Sequence, residues 1–151
     1  MALVGALAAL PAWPVERISR PLTVSATVQP YAQLALSQPA QLVLSRDDVR
    51  LGYIDVPGTS NPARYSLTVT TNDRAGYALQ FGISAALQPM LASVQVSGIG
   101  STVPLATTGG RISVAYTVNK VTFTPTFRFV LNNKARAGTY AWPVTTSVQA
   151  N

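Results

Sequence analysis

Apolar and polar residues alternate through much of this chain, which is the pattern of β-strands with one buried face. The first clear case is residues 22–28, where Leu22, Val24, Ala26 and Val28 alternate with Thr and Ser. Successive side chains of a strand point to opposite faces, so these four residues would form one apolar row. Residues 22–28 are therefore predicted to be a strand that needs a partner.

Two further alternating segments lie at the centre of the chain. Tyr65, Leu67 and Val69 form one apolar row, and residues 77–83 carry Tyr, Leu, Phe and Ile at their odd positions. The connecting residues 72–76 include Asn, Asp and Gly, which favour turns. We predict a β-hairpin whose two apolar rows face one core.

Shorter strands are predicted on both sides of this hairpin, separated by turn residues. Residues 46–50 are read as a polar loop in which Asp47 has a capping role. Pro125 predicts an edge strand or a bulge, where the sheet bends. Pro143 should face solvent or an unpaired edge because proline donates no backbone hydrogen bond. Strands are predicted at residues 33–36, 41–45, 51–56, 92–96, 103–105, 111–118, 121–131 and 139–148.

Short strands with regularly spaced turns, and no segment with a helical pattern, predict an all-β fold. The expected architecture is an immunoglobulin-like two-sheet β-sandwich, completed by a donated N-terminal strand or by its own first strand. The length of 151 residues suits one domain with a single core, predicted at residues 21–151. Hydrophobic residues at 48% and charged residues at 11% argue against a disordered chain.

Residues 1–20 are predicted to be a truncated signal peptide and a spacer. Residues 1–12 are apolar and end in small residues, as in the core of a secretory signal, but the first charged residue is Glu16. The alternative is a hydrophobic strand of the fold, because the run is too short for the roughly 20 residues of a membrane span. No membrane span is expected in the mature chain.

The charge pattern does not favour nucleic acid as a partner. The net charge is +6, but the arginines are scattered instead of forming one basic stripe with interleaved aromatics. Cysteine is absent, which excludes a disulfide and a thiolate metal site within the chain. We expect no metal site and no cofactor.

An enzymatic function is not expected. Histidine and cysteine, the commonest general base and the most reactive nucleophile, are both absent. Asp47 and Asp55 are the only carboxylates that the sequence suggests as a hydrolytic pair, and a loop-capping role for Asp47 is the preferred interpretation.

Tyr140 and Trp142 are the aromatic residues with a candidate structural role. Tyr140 follows Gly138 and Thr139 at the start of a late strand, where it is either a tyrosine corner or an ordinary core aromatic. Trp142, with Trp13, is a candidate sugar platform, but its place in the apolar row of its strand favours core packing.

These residues carry a family resemblance. Residues 22–28 (Leu-Thr-Val-Ser-Ala-Thr-Val), residues 76–79 (Gly-Tyr-Ala-Leu) and residues 137–140 (Ala-Gly-Thr-Tyr) resemble the spore coat protein U and archaic chaperone-usher pilin family. The similarity spans most of the mature chain. That family usually has a cysteine shortly after the first strand, where this chain has Ala32 and Gln33, so its disulfide is missing here.

The resemblance implies a secreted fimbrial subunit on the cell surface, assembled by donor-strand complementation with like subunits. It also implies a periplasmic chaperone and an outer-membrane usher as partners. Leu22, Val24, Ala26 and Val28 would then form the donor-strand interface. The alternative is a self-complete β-sandwich that binds carbohydrate or a surface protein through residues 98–101 and 107–110.

Overall fold

The structure, a computed structural model, describes residues 23–151. Most of the alternating segments there form β-strands, but the described part of residues 22–28 does not. Every pairing between the strands is antiparallel. In chain order the strands are β1 (Ala32–Ser37), β2 (Gln41–Leu44), β3 (Tyr53–Val56), β4 (Ser66–Thr71), β5 (Tyr77–Ile83), β6 (Leu91–Ser97), β7 (Val103–Leu105), β8 (Gly109–Val114), β9 (Lys120–Phe123), β10 (Thr126–Leu131), β11 (Gly138–Ala141) and β12 (Val144–Ala150). The all-β character predicted from the sequence is confirmed.

The strands form four sheets, with the orders β1-β4-β9, β3-β10-β6-β7, β11-β2 and β12-β5-β8. At two places a short interruption between consecutive strands carries the chain from one sheet to another. Pro125 separates β9 from β10, and Trp142 with Pro143 separates β11 from β12. A proline cannot donate to a ladder, so a strand changes its neighbours at these points.

Aromatic side chains occupy the centre of the hydrophobic core. Phe127 of β10 lies edge-on to Tyr65, with ring centroids 5.1 Å apart, and edge-on to Trp142 at 5.9 Å. Tyr65 stacks on Trp142 at 5.8 Å. Such pairs add about 0.5–1.5 kcal/mol each to the free energy gained by burial. The inward rows of β4 and β5 belong to the same core, as the alternation predicts.

The predicted hairpin at the centre of the chain is wrong. β4 pairs with β1 and β9, whereas β5 pairs with β12 and β8, so residues 72–76 cross from one sheet to another. The alternation determines which face of each strand is buried, but it carries no information about the neighbouring strand. Both apolar rows therefore face one core, although the strands β4 and β5 that carry them are not hydrogen-bonded to each other.

The predicted polar loop at residues 46–50 is also wrong, because a short helix, α1 (Arg46–Leu51), lies there. Ser45 is its N-cap and forms a capping box with Asp48, and Gly52 ends it with a φ of 77°. Asp47 does not cap the helix but pairs with exposed Arg50 at 3.1 Å.

A second helical element in the described part of the chain is a 3-10 turn (Gln88–Met90). Among residues 23–151, no helix has the length and apolar character needed to cross a membrane.

Replacing Ser45 with Ala should destabilise the fold. The Ser45 hydroxyl accepts a hydrogen bond from the Asp48 backbone N–H at 3.1 Å and lies 2.7 Å from the Asp48 carboxylate. Loss of such a cap costs about 1 kcal/mol. Urea denaturation should show this decrease in unfolding free energy, while Arg46→Ala, in the same turn but outside the cap, should change it little. Equal effects of the two substitutions would contradict the capping role.

The stability contributed by Asp48 should disappear in acid. Burial opposes ionisation of Asp48, but hydrogen bonds from Ser45 and Ser60 outweigh it and hold the pKa below the ordinary value of 3.8. A carboxyl with a lowered pKa stabilises the fold above its unfolded pKa and loses that effect as the pH falls through its folded pKa. Asp48→Asn should therefore be less stable than the parent at neutral pH, with a gap that narrows below pH 3.8. A gap that is constant with pH in denaturant titrations would overturn this assignment.

Candidate functional site

The apolar row predicted for residues 22–28 is exposed wherever the structure describes it. Leu22 lies outside the described residues, Val24 is 79% exposed, Val28 is 77% exposed, and Ala26 is exposed between them. Residues 23–30 belong to no strand of the four sheets, so the predicted strand at residues 22–28 is not formed in the residues that the structure describes. The alternation thus provides an apolar face for this segment, but no neighbouring ladder completes it.

The point where this segment leaves the sheet is fixed by one side-chain amide. Asn72 accepts a hydrogen bond from the Tyr31 N–H at 2.8 Å and donates one to the Gln29 carbonyl at 3.1 Å. The hydroxyl of Thr71 donates to the Tyr31 carbonyl at 2.7 Å. The amide of Asn72 therefore occupies the place of a neighbouring peptide group. Sequence reasoning treated Asn72 only as a turn residue and missed this contact.

One open sheet edge runs along β12. β5 pairs with one side of β12, and within residues 23–151 no ladder covers the other side. At the start of this edge the Trp142 N–H donates to the Ala40 carbonyl at 3.1 Å. β1, which precedes Ala40 in the chain, pairs with β4 and not with β12. β1 still lies beside β12, with Cα atoms within 8 Å.

A second opening lies between β8 and β9, which are end strands of two different sheets. It is a groove of about 580 Å³ whose walls carry Ile112 and Val114 from β8 and Val121 and Phe123 from β9. Ile112 is buried, and the other three side chains are half-buried. We call this the β8–β9 groove.

The loops considered for a binding module lie at two different grooves. Ile99 to Ser101, in the first loop, line one end of the β8–β9 groove. Thr108 to Gly110, in the second, line a separate groove of about 570 Å³ with polar neighbours that include Gln80, Arg111 and Thr145. The structure therefore does not bring the two loops into one site.

Tyr140 has the geometry of a tyrosine corner. Its hydroxyl donates to the carbonyl of Arg136, four residues earlier, at 3.0 Å. Gly138 lies against the ring, where an added Cβ would stand 3.5 Å from the hydroxyl oxygen. This bond favours the corner over an ordinary core aromatic. Trp142 is half-buried among core rings, which favours packing over a sugar platform, and Trp13 lies outside the described residues.

The two carboxylates considered as a hydrolytic pair both have arginine partners. Asp47 pairs with Arg50, and Asp55 accepts two hydrogen bonds from Arg128, at 2.7 and 2.8 Å. The Arg128 guanidinium also lies over the ring of Tyr53, 4.6 Å from its centroid. In the part of the chain from residue 23 onwards, no cluster of three metal-binding side chains occurs.

Comparisons with known proteins gave no match: no protein-family model, no curated protein and no solved structure matches this chain. The resemblance to chaperone-usher pilins therefore stays a prediction. Any functional conclusion depends on the exposed N-terminal segment, the unpaired strand edges and the grooves beside them.

Replacing Tyr140 with Phe should remove the corner bond and lower the unfolding free energy by about 1 kcal/mol, the usual net value of one hydrogen bond. Tyr31→Phe is the matched control, because Tyr31 is 44% exposed. Thermal or urea denaturation of both variants measures the difference. If Tyr140→Phe is as stable as the control, the bond to Arg136 does not stabilise the corner.

Proposed function

We propose that this protein is a secreted structural subunit of a surface fibre, in which the N-terminal segment of one subunit completes a neighbouring subunit. The observation that carries the proposal is the exposure of Val24 and Val28 in a segment without a ladder. Complete burial of a valine contributes roughly 1.5–3 kcal/mol, so insertion into another subunit would be favourable. Alternate side chains would fill pockets while the backbone adds a strand to a sheet.

The sheet arrangement supports an incomplete immunoglobulin-like sandwich for this subunit. In one layer β1-β4-β9 would continue through β10 into its sheet, and in the other β2 and β11 would continue through β12 into β5 and β8. The tyrosine corner of Tyr140 is a feature of such Greek-key sandwiches. In this arrangement the two layers face each other with open edges on both sides.

Open edges also suggest the partners. Unpaired strand edges with apolar neighbours promote aggregation, so a free subunit would need protection until it is incorporated. A periplasmic chaperone and an outer-membrane usher, which the pilin resemblance implies, would provide that protection and the route to the cell surface. Like subunits would be the partners in the finished fibre.

A binding module is the second candidate function. Residues 98–101 and 107–110 each contribute to a groove, of about 580 and 570 Å³ respectively, and these volumes fall within the range of small-molecule sites. A self-complete domain of this kind would recognise carbohydrate or a surface protein and would stay monomeric.

The state of assembly distinguishes the two functions. Size-exclusion chromatography and electron microscopy of the purified full chain should show ladders or filaments for a fibre subunit, and a stable monomer for a binding module. Deletion of residues 22–28 should abolish the polymer and leave a monomer, because the inserted strand would be missing.

A pair of double variants separates insertion of the apolar row from a general effect of charge. Val24→Asp with Val28→Asp should prevent assembly, because carboxylates would enter apolar pockets. Thr23→Asp with Thr27→Asp adds the same charge to the opposite row and should still assemble. All four positions are exposed, so both variants should melt like the parent monomer. Filaments from the valine variant would show that this row is not inserted.

A further inference from the structure

We propose that the outward face of the sheet β12-β5-β8 binds an acidic oligosaccharide through the polar groove of about 570 Å³. We call this opening, whose lining includes Gln80, Gly82, Gly109, Arg111 and Ser147, the Gly82 groove. The proposal names a ligand class for one groove of the second candidate function. It does not depend on assembly, because the outward face of a sheet can bind a saccharide in a monomer and in a fibre subunit alike.

Two glycines form the floor of the Gly82 groove. Gly82 of β5 lies directly opposite Gly109 of β8, and on its other side it lies opposite Thr145 of β12. The neighbours of Gly82 in the chain, Phe81 and Ile83, are buried, so Gly82 and its two partners face outwards. Two adjacent strands therefore carry no side chain at this level, and a ligand can approach their backbone closely.

The packing around the two glycines keeps this floor free of side chains. A Cβ added to Gly82 would stand 2.6 Å from the Thr145 hydroxyl oxygen, which donates to the Gly82 carbonyl at 3.3 Å. A Cβ added to Gly109 would clash with the carbonyl oxygen of Phe81, and Gly109 has a φ of 116°. Larger residues are therefore disfavoured at both positions.

A row of polar side chains adjoins the glycine floor. Gln80 lies between Ser147 of β12 and Arg111 of β8, and all three residues are exposed. Hydroxyl and amide groups both donate and accept hydrogen bonds, as the hydroxyls of a sugar do. Among the described residues that line the groove, the one large apolar side chain is Phe81, which is buried. This lining suits a ligand rich in hydroxyls better than an acyl chain or an apolar peptide.

Arg111 supplies a positive charge that has no carboxylate partner within residues 23–151. Its guanidinium donates to the amide oxygen of Asn151 at 3.4 Å, a long hydrogen bond that a ligand carboxylate would improve on. None of the described residues lining the groove is acidic. Arg50 and Arg128, by contrast, each pair with an aspartate. The chain also has a net charge of +6, which attracts anions, so the carboxylate of a uronic acid fits this position.

The direction of the Arg111 side chain indicates an oligosaccharide and not a single sugar. The guanidinium contacts Asn151, which follows Ala150, the partner of Tyr77. Tyr77 and Gly82 are roughly 17 Å apart along β5, from the rise per residue of a strand. A ligand that lies on the glycine floor and also reaches the guanidinium must therefore contain several sugar units, with the carboxylate towards Asn151.

Equilibrium dialysis of the full chain against trigalacturonic acid tests the ligand class. Its methyl ester has the same rings without the charge, and galacturonic acid has the charge on a single ring. The trisaccharide acid should bind about tenfold or more tightly than its ester, because a hydrogen bond to a charged group contributes that much. It should also bind more tightly than the single sugar, which cannot reach both ends of the site. Equal affinity for the acid and either control would overturn the proposal.

Arg111→Gln should weaken binding of the acid about tenfold or more and leave binding of the ester unchanged. The matched control is Arg46→Gln, which removes the same charge from an exposed position on α1, outside the groove, and should bind like the parent. Equal losses in the two variants would show diffuse attraction to a basic protein and would overturn the proposal. Parent-like affinity of Arg111→Gln would do the same.

A second pair of variants tests the polar row beside the floor. Gln80→Leu removes the amide from the groove, and Gln33→Leu removes an exposed amide from the outward face of β1. Gln33 lies opposite Thr70, which lies opposite Lys120, so its neighbours are similar but no glycine floor adjoins them. Both variants are first compared with the parent for melting temperature.

Only Gln80→Leu should weaken binding, and it should weaken binding of the acid and of the ester alike, because its amide would contact the rings. Parent-like affinity of folded Gln80→Leu would contradict the site. A sulfated trisaccharide that binds the parent as tightly as the uronic acid would contradict the ligand class. Filament formation is measured separately, so a failure of saccharide binding leaves the fibre function standing.

Discussion

The packing of Phe127 against Tyr65 and Trp142 is the interaction on which the arrangement of the sheets depends. These three rings come from β10, from the residue before β4 and from the break between β11 and β12, so their contact joins separate sheets. The Tyr65 hydroxyl lies 2.6 Å from that of Thr146 on β12 and extends the same connection. Close packing of this kind has few alternatives, because interiors have little free volume.

Unpaired strand edges surround this central packing. The sheets β1-β4-β9 and β12-β5-β8 contribute to one core, but no ladder joins them within residues 23–151. On the side of β12, the Ala40 carbonyl accepts a hydrogen bond from the Trp142 N–H. β1 pairs with β4 and lies beside β12 without pairing with it. On the other side β8 and β9 are not paired with each other, and both line the apolar groove. The two sides therefore differ in what lies beside the unpaired edge.

The exposed N-terminal segment has two requirements that the described part of its own subunit does not meet. Its apolar row gains free energy only when it is buried, and its backbone gains only when it has a ladder. Asn72 satisfies the backbone at Gln29 and Tyr31 but nothing beyond these residues. A segment held in this way at one end is presented to other molecules, which links local hydrogen bonding to the proposed assembly.

The sequence alone determined that the chain is mostly β-strand, which faces of most strands are buried and that Pro125 interrupts a ladder. These features depend on period-two alternation and on single-residue chemistry, which are local. Only the tertiary structure decided which strands are neighbours, since β4 and β5 follow each other in the chain but lie in different sheets. The helix α1 is different, because its capping box joins Ser45 and Asp48 locally and the sequence reading missed that signal. The β8–β9 groove also belongs to the tertiary structure, because residues from several strands must be brought together before it exists.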